Sequence, residues 1–236
     1  MNTTLNLYTY EILTKEQTAF IQKAAECLAR TFIGVEVSGK WIQEPIVGQL
    51  NLNYEDFCTF TQDYLQSVVE QGYCAIALDA DKRVVGVLAG DINKPEVIEE
   101  DLFEGSLTDM NVVMRVLSDV TGRFMADYEK RKGKEIQDGQ LLHLFMLGVL
   151  AEHNRQEIVQ QLAEKLFTKA AMQGVEAVIG EATNPKSMRL LEKFFGMTKY
   201  MDVEGNSICH LYQHNERLQG IPPEIADGTY IIIREL

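Results

Sequence analysis

The turn between Leu150 and Ile158 carries the residues whose types and spacing are best suited to binding a ligand. It reads AEHNRQE and joins an apolar run, Leu141–Leu150, to an amphipathic helix that begins near Arg155. A helix N-terminus at a strand end collects anions, because its free N–H groups and the positive end of its dipole point the same way. The sequence therefore predicts an anion-binding turn, although Glu157 places a negative charge inside it.

The same turn also has a purely structural interpretation. Asn154 is a favoured N-cap residue, and Glu157 follows it at the three-residue spacing of a capping box. In that arrangement the Glu157 carboxylate accepts a hydrogen bond from a backbone N–H at the helix start. Spacing alone favours this ordinary capped helix.

Strand and helix patterns alternate around the turn and must position it. The predicted strands are Leu5–Leu13, a hairpin of Tyr73–Ala80 and Arg83–Ile92, Leu141–Leu150, Ala177–Ala182, Ser207–Gln213 and Thr229–Glu235. The predicted helices are Phe20–Phe32, Phe57–Val69, Val113–Tyr128 and the stretches after Arg155 and Asn184. Val35–Asn53 is expected to be irregular. With no repeat and no linker, residues 1–236 are predicted to form a single mixed α/β domain.

The composition limits the classes of partner. Of the 236 residues 46% are hydrophobic, yet no apolar run approaches the roughly 18 residues that span a bilayer, and no secretory signal is visible. The net charge of −13 disfavours nucleic acid and anionic membrane, because both bind positive surfaces. The four cysteines lack metal-type spacing and indicate reduced thiols, so we expect a cytoplasmic protein without a metal.

Patches of the sequence resemble the GNAT superfamily of acyl-CoA-dependent N-acetyltransferases. Val149 matches the valine that ends the family's splayed strand, and Glu152-His153 match the residues before its pyrophosphate-binding turn. A later patch is similar to the family's N-x-x-A/S-x-x-L-Y-E-K-x-G-F signature with one extra residue: Asn184, Ser187, Leu190, Glu192, Lys193, Gly196 and Met197. Gln43-Glu44-Pro45 resembles the D-E-P element of the arylalkylamine (dopamine-type) branch.

This resemblance implies a fold, a co-substrate and a set of site residues. The fold is a GNAT-like mixed, mostly antiparallel central sheet with helices on both faces and a splayed strand at the CoA site. The co-substrate is acetyl-CoA, the acceptor is a small amine, and Glu44 takes the position of the family's proposed base. The residues implied to bind CoA are Leu147, Val149, Asn154, Arg155, Gln156, Glu157, Ile158, Val159, Asn184 and Ser187.

The turn departs from the family's Q/R-x-x-G-x-G/A pattern. Asn154 replaces the leading Gln/Arg, Glu157 the first glycine and Val159 the final small residue. Glycine would let a phosphate approach the backbone closely, whereas glutamate adds a like charge. At about 4 Å and an effective dielectric near 20 the repulsion is on the order of 4 kcal/mol, and a quarter of that costs roughly tenfold in affinity. Arg155 would offset part of this by contacting phosphate.

Acylation of an amine needs a base that takes a proton from an ammonium of pKa about 10. Glu44 is a candidate because Pro45 fixes its backbone and Trp41, Ile42 and Ile46 could desolvate it, which would raise its pKa. An exposed loop carboxylate is the alternative interpretation of Glu44.

The sequence offers several candidates for the general acid that would assist the leaving thiolate. Leu191 occupies the position where many family members have a tyrosine, which leaves Tyr200, His143 and His153 as candidates. A lone histidine on an apolar strand, as His143 is, more often satisfies a local hydrogen bond than catalyses. We take Tyr200 as the candidate acid.

The resemblance implies two functions, beside a more remote third option, a purely structural α/β subunit unrelated to GNAT. The first is an acyl-CoA-dependent N-acyltransferase acting on a small amine by direct transfer, with the possibility of a homodimer left open. The alternative is a catalytically inactive GNAT-fold binding or regulatory protein that has lost CoA turnover. The turn at Glu157 favours the alternative, whereas Glu44-Pro45 and the late N-x-x-S segment favour the enzyme.

Overall fold

A mixed sheet of eight strands, taken from both ends of the chain, forms the centre of the protein. The computed structural model describes residues 7–37, 39–98, 100–153 and 156–236. The strands are β1 (Thr9–Ile12), β2 (Val35–Val37), β3 (Lys40–Ile42), β4 (Cys74–Leu78), β5 (Val84–Asp91), β6 (Leu141–Val149), β7 (Ala177–Ala182), β8 (Thr198–Lys199), β9 (Cys209–Leu211) and β10 (Gly228–Glu235). The α-helices are α1 (Thr18–Ile33), α2 (Pro45–Gln49), α3 (Tyr54–Gln71), α4 (Met110–Lys132), α5 (Gln156–Met172) and α6 (Pro185–Phe195).

The eight-stranded sheet is antiparallel except between β6 and β7. Its order is β1-β4-β5-β6-β7-β10-β8, and β9 also pairs with β10. β6 and β7 run parallel, with Leu141 opposite Ala177 and Leu144 opposite Gly180. The connection between them passes through α5, because parallel neighbours need a long crossover. The predicted mixed, mostly antiparallel sheet is confirmed.

Alternating side chains of the central strands pack against helices on opposite faces. In β4, Cys74, Ile76 and Leu78 pack in a cluster with α1 and α3, whereas Ala75 and Ala77 pack in a cluster with α5 and α6. Because helices cover both faces, β4 is buried at every position. The prediction of helices on both faces is confirmed.

The segment Val35–Asn53 contains a hairpin and a helix, so the prediction that it is irregular is wrong. β2 and β3 pair antiparallel around a turn in which Gly39 has a φ of 75°, and α2 follows directly. Strands of three residues and a helix of five are too short to produce a detectable period. As predicted, the residue before Pro45 is extended: Glu44 has φ −70° and ψ 129°.

Element boundaries elsewhere differ from the prediction by a few residues. The predicted start of the first strand at Leu5 lies outside the described residues, and β9 is shorter than the predicted Ser207–Gln213. Asn154 and Arg155 also lie outside the described residues, and with them the predicted N-cap of α5. No helix within the described ranges is long and apolar enough to cross a membrane. The single-domain organisation stays a prediction.

Candidate active site

A cavity of about 400 Å³ opens where β6 and β7 separate. The two strands pair as far as Leu144 and Gly180, after which β6 continues beside β5 to Val149 and β7 continues beside β10. Most of the wall is apolar and comes from α1, α3, α4 and β6: Phe32, Phe57, Phe60, Val113, Leu117 and Phe145. Two carboxylates, Glu44 and Glu181, interrupt this apolar wall.

The backbone of β6 offers hydrogen-bond groups to the cavity at Leu147 and Val149. The Leu150 N–H donates to Val85 O at 2.9 Å, and bonding to one neighbour alternates along an antiparallel ladder. Gly148 therefore pairs with β5, and Leu147 and Val149 direct their N–H and C=O groups into the gap. Both residues line the cavity, so an acyl carbonyl or an extended amide chain in the gap would meet them.

Glu44 enters the cavity from the start of α2 and is held from two sides. Its Oε2 accepts from the Val47 N–H at 2.8 Å, as an N-cap does, and its Oε1 accepts from the Thr183 hydroxyl at 2.8 Å. Its own N–H donates to Phe32 O at 3.0 Å. Thr183 is fixed in turn, because the Tyr212 hydroxyl donates to Thr183 O at 2.6 Å.

The environment of Glu44 makes its carboxylate more basic than usual. Burial raises the pKa of Glu44 above its ordinary value of 4.5, and the hydrogen bonds from Val47 and Thr183 lower it only in part. Ile46 is buried, as the desolvation argument requires, whereas Ile42 lines the cavity but is 41% exposed. Trp41 does not contribute as expected, because it is 60% exposed and its indole N–H donates to Gln43.

Glu181 is the second carboxylate of the wall, and it belongs to an ion cluster. Its side chain is 2% exposed, its Oε2 lies 2.8 Å from His143 Nε2, and its Oε1 accepts from the Thr121 hydroxyl at 2.6 Å. On the other side of the ring, His143 Nδ1 lies 3.7 Å from Asp91 Oδ2. Burial alone would lower the pKa of His143, but Glu181 and Asp91 together raise it to about 10. His143 is therefore an imidazolium, and its placement favours the local interpretation over a catalytic one.

The first turn of α5 buries apolar side chains against the sheet and the cavity wall. The Ile158 side chain is buried against the sheet, where a Cβ atom on Gly86 would lie 2.8 Å from it. Val159 is also buried and lines the cavity. An anion at this turn would therefore meet the free N–H groups of the helix start, including that of Gln156, rather than these side chains.

Glu157 is exposed at the start of α5. Its carboxylate can turn into water, where the repulsion of a phosphate is several times weaker than the estimate for a partly enclosed pair. The predicted contacts of Asn154 and Arg155 with CoA lie outside the described residues.

Asn184 and Ser187 begin α6 as a reciprocal capping box. Asn184 Oδ1 accepts from the Lys186 and Ser187 N–H groups at 3.0 Å each, and the Ser187 hydroxyl accepts from the Asn184 N–H at 3.3 Å. The Ser187 hydroxyl itself donates to Asn184 O at 2.8 Å. Both residues line the cavity, and their contact with CoA stays a prediction.

Tyr200 is not brought to this cavity. It is buried in a separate cluster with Phe124 and Tyr128, and its hydroxyl donates to Asp127 Oδ2 at 2.6 Å. Arg131 pairs with the same carboxylate oxygen at 2.8 Å. Burial and Asp127 raise the pKa of Tyr200. The expectation that Tyr200 is the acid is therefore not supported by its position, which a short strand, β8, and the loop after it determine.

Replacing Tyr200 with Phe is expected to change stability and not rate. The free energy of unfolding should fall by about 1–3 kcal/mol, because Asp127 loses a buried hydrogen bond. The kcat for amine acylation should stay within about threefold, whereas loss of a general acid costs about 10²–10⁴. Denaturant unfolding and steady-state kinetics on the same preparation check both values, and a hundredfold fall in kcat would restore Tyr200 as the acid.

Two polar residues of the cavity, Glu181 and Thr183, escaped the sequence analysis. Glu181 interrupts the apolar run AVIGEA, and a charged residue in a buried strand is a signal because it requires a partner. Thr183 carries no comparable signal, since its hydrogen bond with Glu44 joins residues 139 positions apart.

Comparison with known proteins identifies the fold. No family model and no curated protein matches the sequence. Solved structures do match over 97–98% of this chain. The polyamine N-acetyltransferase of Drosophila melanogaster, which forms N-acetylagmatine, is 18% identical with a TM-score of 0.65 and is covered completely. Arylalkylamine N-acetyltransferase 2 of Aedes aegypti is 15% identical with a TM-score of 0.66 and 99% coverage. A mosquito arylalkylamine N-acetyltransferase-like protein, 5b, is 18% identical with a TM-score of 0.63 and 100% coverage.

Proposed function

We propose that this GNAT-fold chain is an acyl-CoA-dependent N-acyltransferase that transfers an acetyl group to a small amine. The GNAT fold and its likeness in layout to arylalkylamine N-acetyltransferases are confirmed by the solved structures. The observation that carries the proposal is the position of Glu44, a partly enclosed carboxylate of raised pKa, in the cavity onto which Leu147 and Val149 open.

The residues divide the chemistry of direct transfer between them. Acetyl-CoA supplies a thioester, whose carbonyl carbon forms a C–N bond with the amine while its C–S bond breaks. Glu44 takes the ammonium proton, through a water molecule or directly, and so frees the attacking electron pair. The N–H groups of Leu147 and Val149 donate to the thioester oxygen as it gains charge. A thiol of pKa about 8.5 leaves as thiolate without an obligatory acid, and its proton comes from solvent or from Glu44.

Other features are consistent with this chemistry. Solved proteins of the same fold carry names that specify arylalkylamines and a polyamine as acceptors, which supports a small amine as the acceptor here. The reaction as proposed needs no metal ion. We place the activity in the cytoplasm, and a homodimer stays open.

The inactive alternative receives no support from these comparisons. It depended on repulsion between Glu157 and a phosphate, and Glu157 is exposed to water. An exposed charge pair at 4 Å contributes about 1 kcal/mol, and salt screens it further.

Titration calorimetry with acetyl-CoA, together with acylation of a simple amine, tests the proposal. We expect the wild type to bind acetyl-CoA, and Glu157→Gly to tighten binding by less than about tenfold because only a screened charge is removed. Glu157→Gln separates the effect of the charge from that of the backbone, and Glu55→Gln, at the exposed start of α3, serves as the matched control.

Two outcomes of this titration would contradict the proposal. If the wild type does not bind while Glu157→Gly does, the inactive alternative is correct. If no variant binds acetyl-CoA, the assignment of the co-substrate is wrong.

A further inference from the structure

The cavity contains a carboxylate that proton transfer does not use. Glu181 lies in the wall two residues before Thr183, whose hydroxyl binds Glu44. Two residues of extended chain span about 7 Å, so Glu181 lies about that far along the chain from the residue that holds Glu44. If both carboxylates were free to bind cations, an amine with an ammonium group at each end of a short chain would be the favoured acceptor.

The charge of Glu181 is already matched from within the protein. His143 Nε2 lies 3.0 Å and 2.8 Å from the two carboxylate oxygens, and the Thr121 hydroxyl donates to one of them. The Glu181 side chain is 2% exposed, and that of His143 15%. Between these neighbours Glu181 has little capacity to accept a further cation, although it faces the cavity.

We propose that His143 neutralises Glu181 and thereby makes the acceptor site selective for amines with one positive charge and an apolar body. The inference rests on the proposed function and specifies its acceptor. His143 acts through Glu181 and is a positioning residue. The wall around Glu181 supports the same acceptor, because Leu117 and Phe145 are apolar and offer a second ammonium group no partner. A buried cation without a partner is strongly disfavoured.

Two amines of equal length test the selectivity. Hexylamine and cadaverine differ in that a terminal methyl group of the first is a terminal ammonium group in the second. At saturating acetyl-CoA, the wild type should have a higher kcat/KM for hexylamine. In His143→Gln the neutral amide leaves the Glu181 charge unmatched, and the ratio of cadaverine to hexylamine kcat/KM should rise at least about tenfold, which corresponds to about 1.4 kcal/mol.

Two further variants distinguish neutralisation from damage to the structure. In the double variant His143→Gln/Glu181→Gln both charges are absent, so the ratio should return to within about threefold of the wild type. Glu181→Gln alone removes one negative charge from the cavity wall and leaves His143 paired only with Asp91, so its ratio should fall below that of the wild type. Glu55→Gln, which removes an exposed carboxylate at the start of α3 outside the described lining of the cavity, is the control, and its ratio should stay unchanged.

The outcomes separate this inference from the proposed function. A wild type that acylates neither amine would overturn both. A wild type that acylates hexylamine, with no rise of the ratio in His143→Gln, would overturn the inference alone. If His143→Gln does not fold, Glu181→Gln decides, because a ratio that does not fall is incompatible with neutralisation by His143.

Discussion

Glu44→Gln is expected to lower kcat/KM for amine acylation by about 10²–10⁴, the range for loss of a positioned base. Glutamine can keep the N-cap hydrogen bond from Val47 and the contact with Thr183, so the loop should hold its geometry while losing the proton acceptor. Steady-state rates with acetyl-CoA and hexylamine measure the effect. The binding of acetyl-CoA should change little, because we assign the phosphates to the N–H groups at the start of α5 and not to Glu44.

The pH profile of kcat/KM tests Glu44 as the catalytic base more directly than the Glu44→Gln rate alone. The base acts only when deprotonated, so the rate should rise with pH through the raised pKa of Glu44, above the ordinary 4.5. In Thr183→Val the carboxylate loses a hydrogen bond that lowers this pKa, and the acid limb should move to higher pH. The residual kcat/KM of Glu44→Gln should not change with pH through the range in which the wild-type value rises.

Controls exclude a general loss of structure in Glu44→Gln. Because the pKa of Glu44 is raised on folding, its stabilising contribution is present below pH 4.5 and is lost as pH rises through the raised pKa. Neutral glutamine avoids that loss, so the melting temperature at pH 7 should not fall below that of the wild type. Glu55→Gln changes an exposed carboxylate and should keep the wild-type rate. Full activity of Glu44→Gln at every pH would show that another group is the base.

The sequence around Glu44 was enough to predict it as a candidate base, but not to predict the residues that hold its side chain. Pro45 in the sequence implies the extended backbone of Glu44, because proline restricts the residue before it, whereas the short helix α2 that starts at Pro45 was not predicted. The Thr183 hydroxyl reaches Glu44 across 139 positions, and only the packing of α2 beside the end of β7 brings them together. The long helices were predictable because their apolar residues repeat over several turns. The strands β2 and β3, of three residues each, are too short to show a repeat.

The ion cluster illustrates a second limit of sequence reasoning. Histidine and glutamate in two apolar strands are visible in the sequence, but their contact depends on the register of β6 and β7. In the structure His143 lies opposite Ile179, which places Glu181 two positions further along the strand. A shift of one residue would send one of the two side chains to the opposite face. Tyr200 illustrates the opposite error. Its residue type suggested a catalytic acid, but the fold places it in another cluster, outside the cavity.

The free energy of unfolding is expected to fall as pH rises from about 7 to 10, and His143 should account for part of that fall. The folded protein holds the His143 proton up to a pKa of about 10, whereas the unfolded chain releases it near 6.5. The contribution of this raised pKa is therefore fully present below pH 6.5 and is lost as pH rises through about 10. Its slope is at most about 1.4 kcal/mol per pH unit.

A comparison of the wild type with His143→Gln isolates this contribution, because the other titrating groups are common to both proteins. Denaturant unfolding at several pH values should show His143→Gln less stable by about 3–5 kcal/mol near pH 7, since Glu181 and Asp91 lose their cation. The difference should narrow steadily toward pH 10. His210→Gln is the matched control: His210 pairs with Asp119 at 2.8 Å at a more exposed site, so its loss should cost less than about 1 kcal/mol. Parallel stability curves for the wild type and His143→Gln between pH 7 and 10 would mean that His143 is neutral in the folded protein.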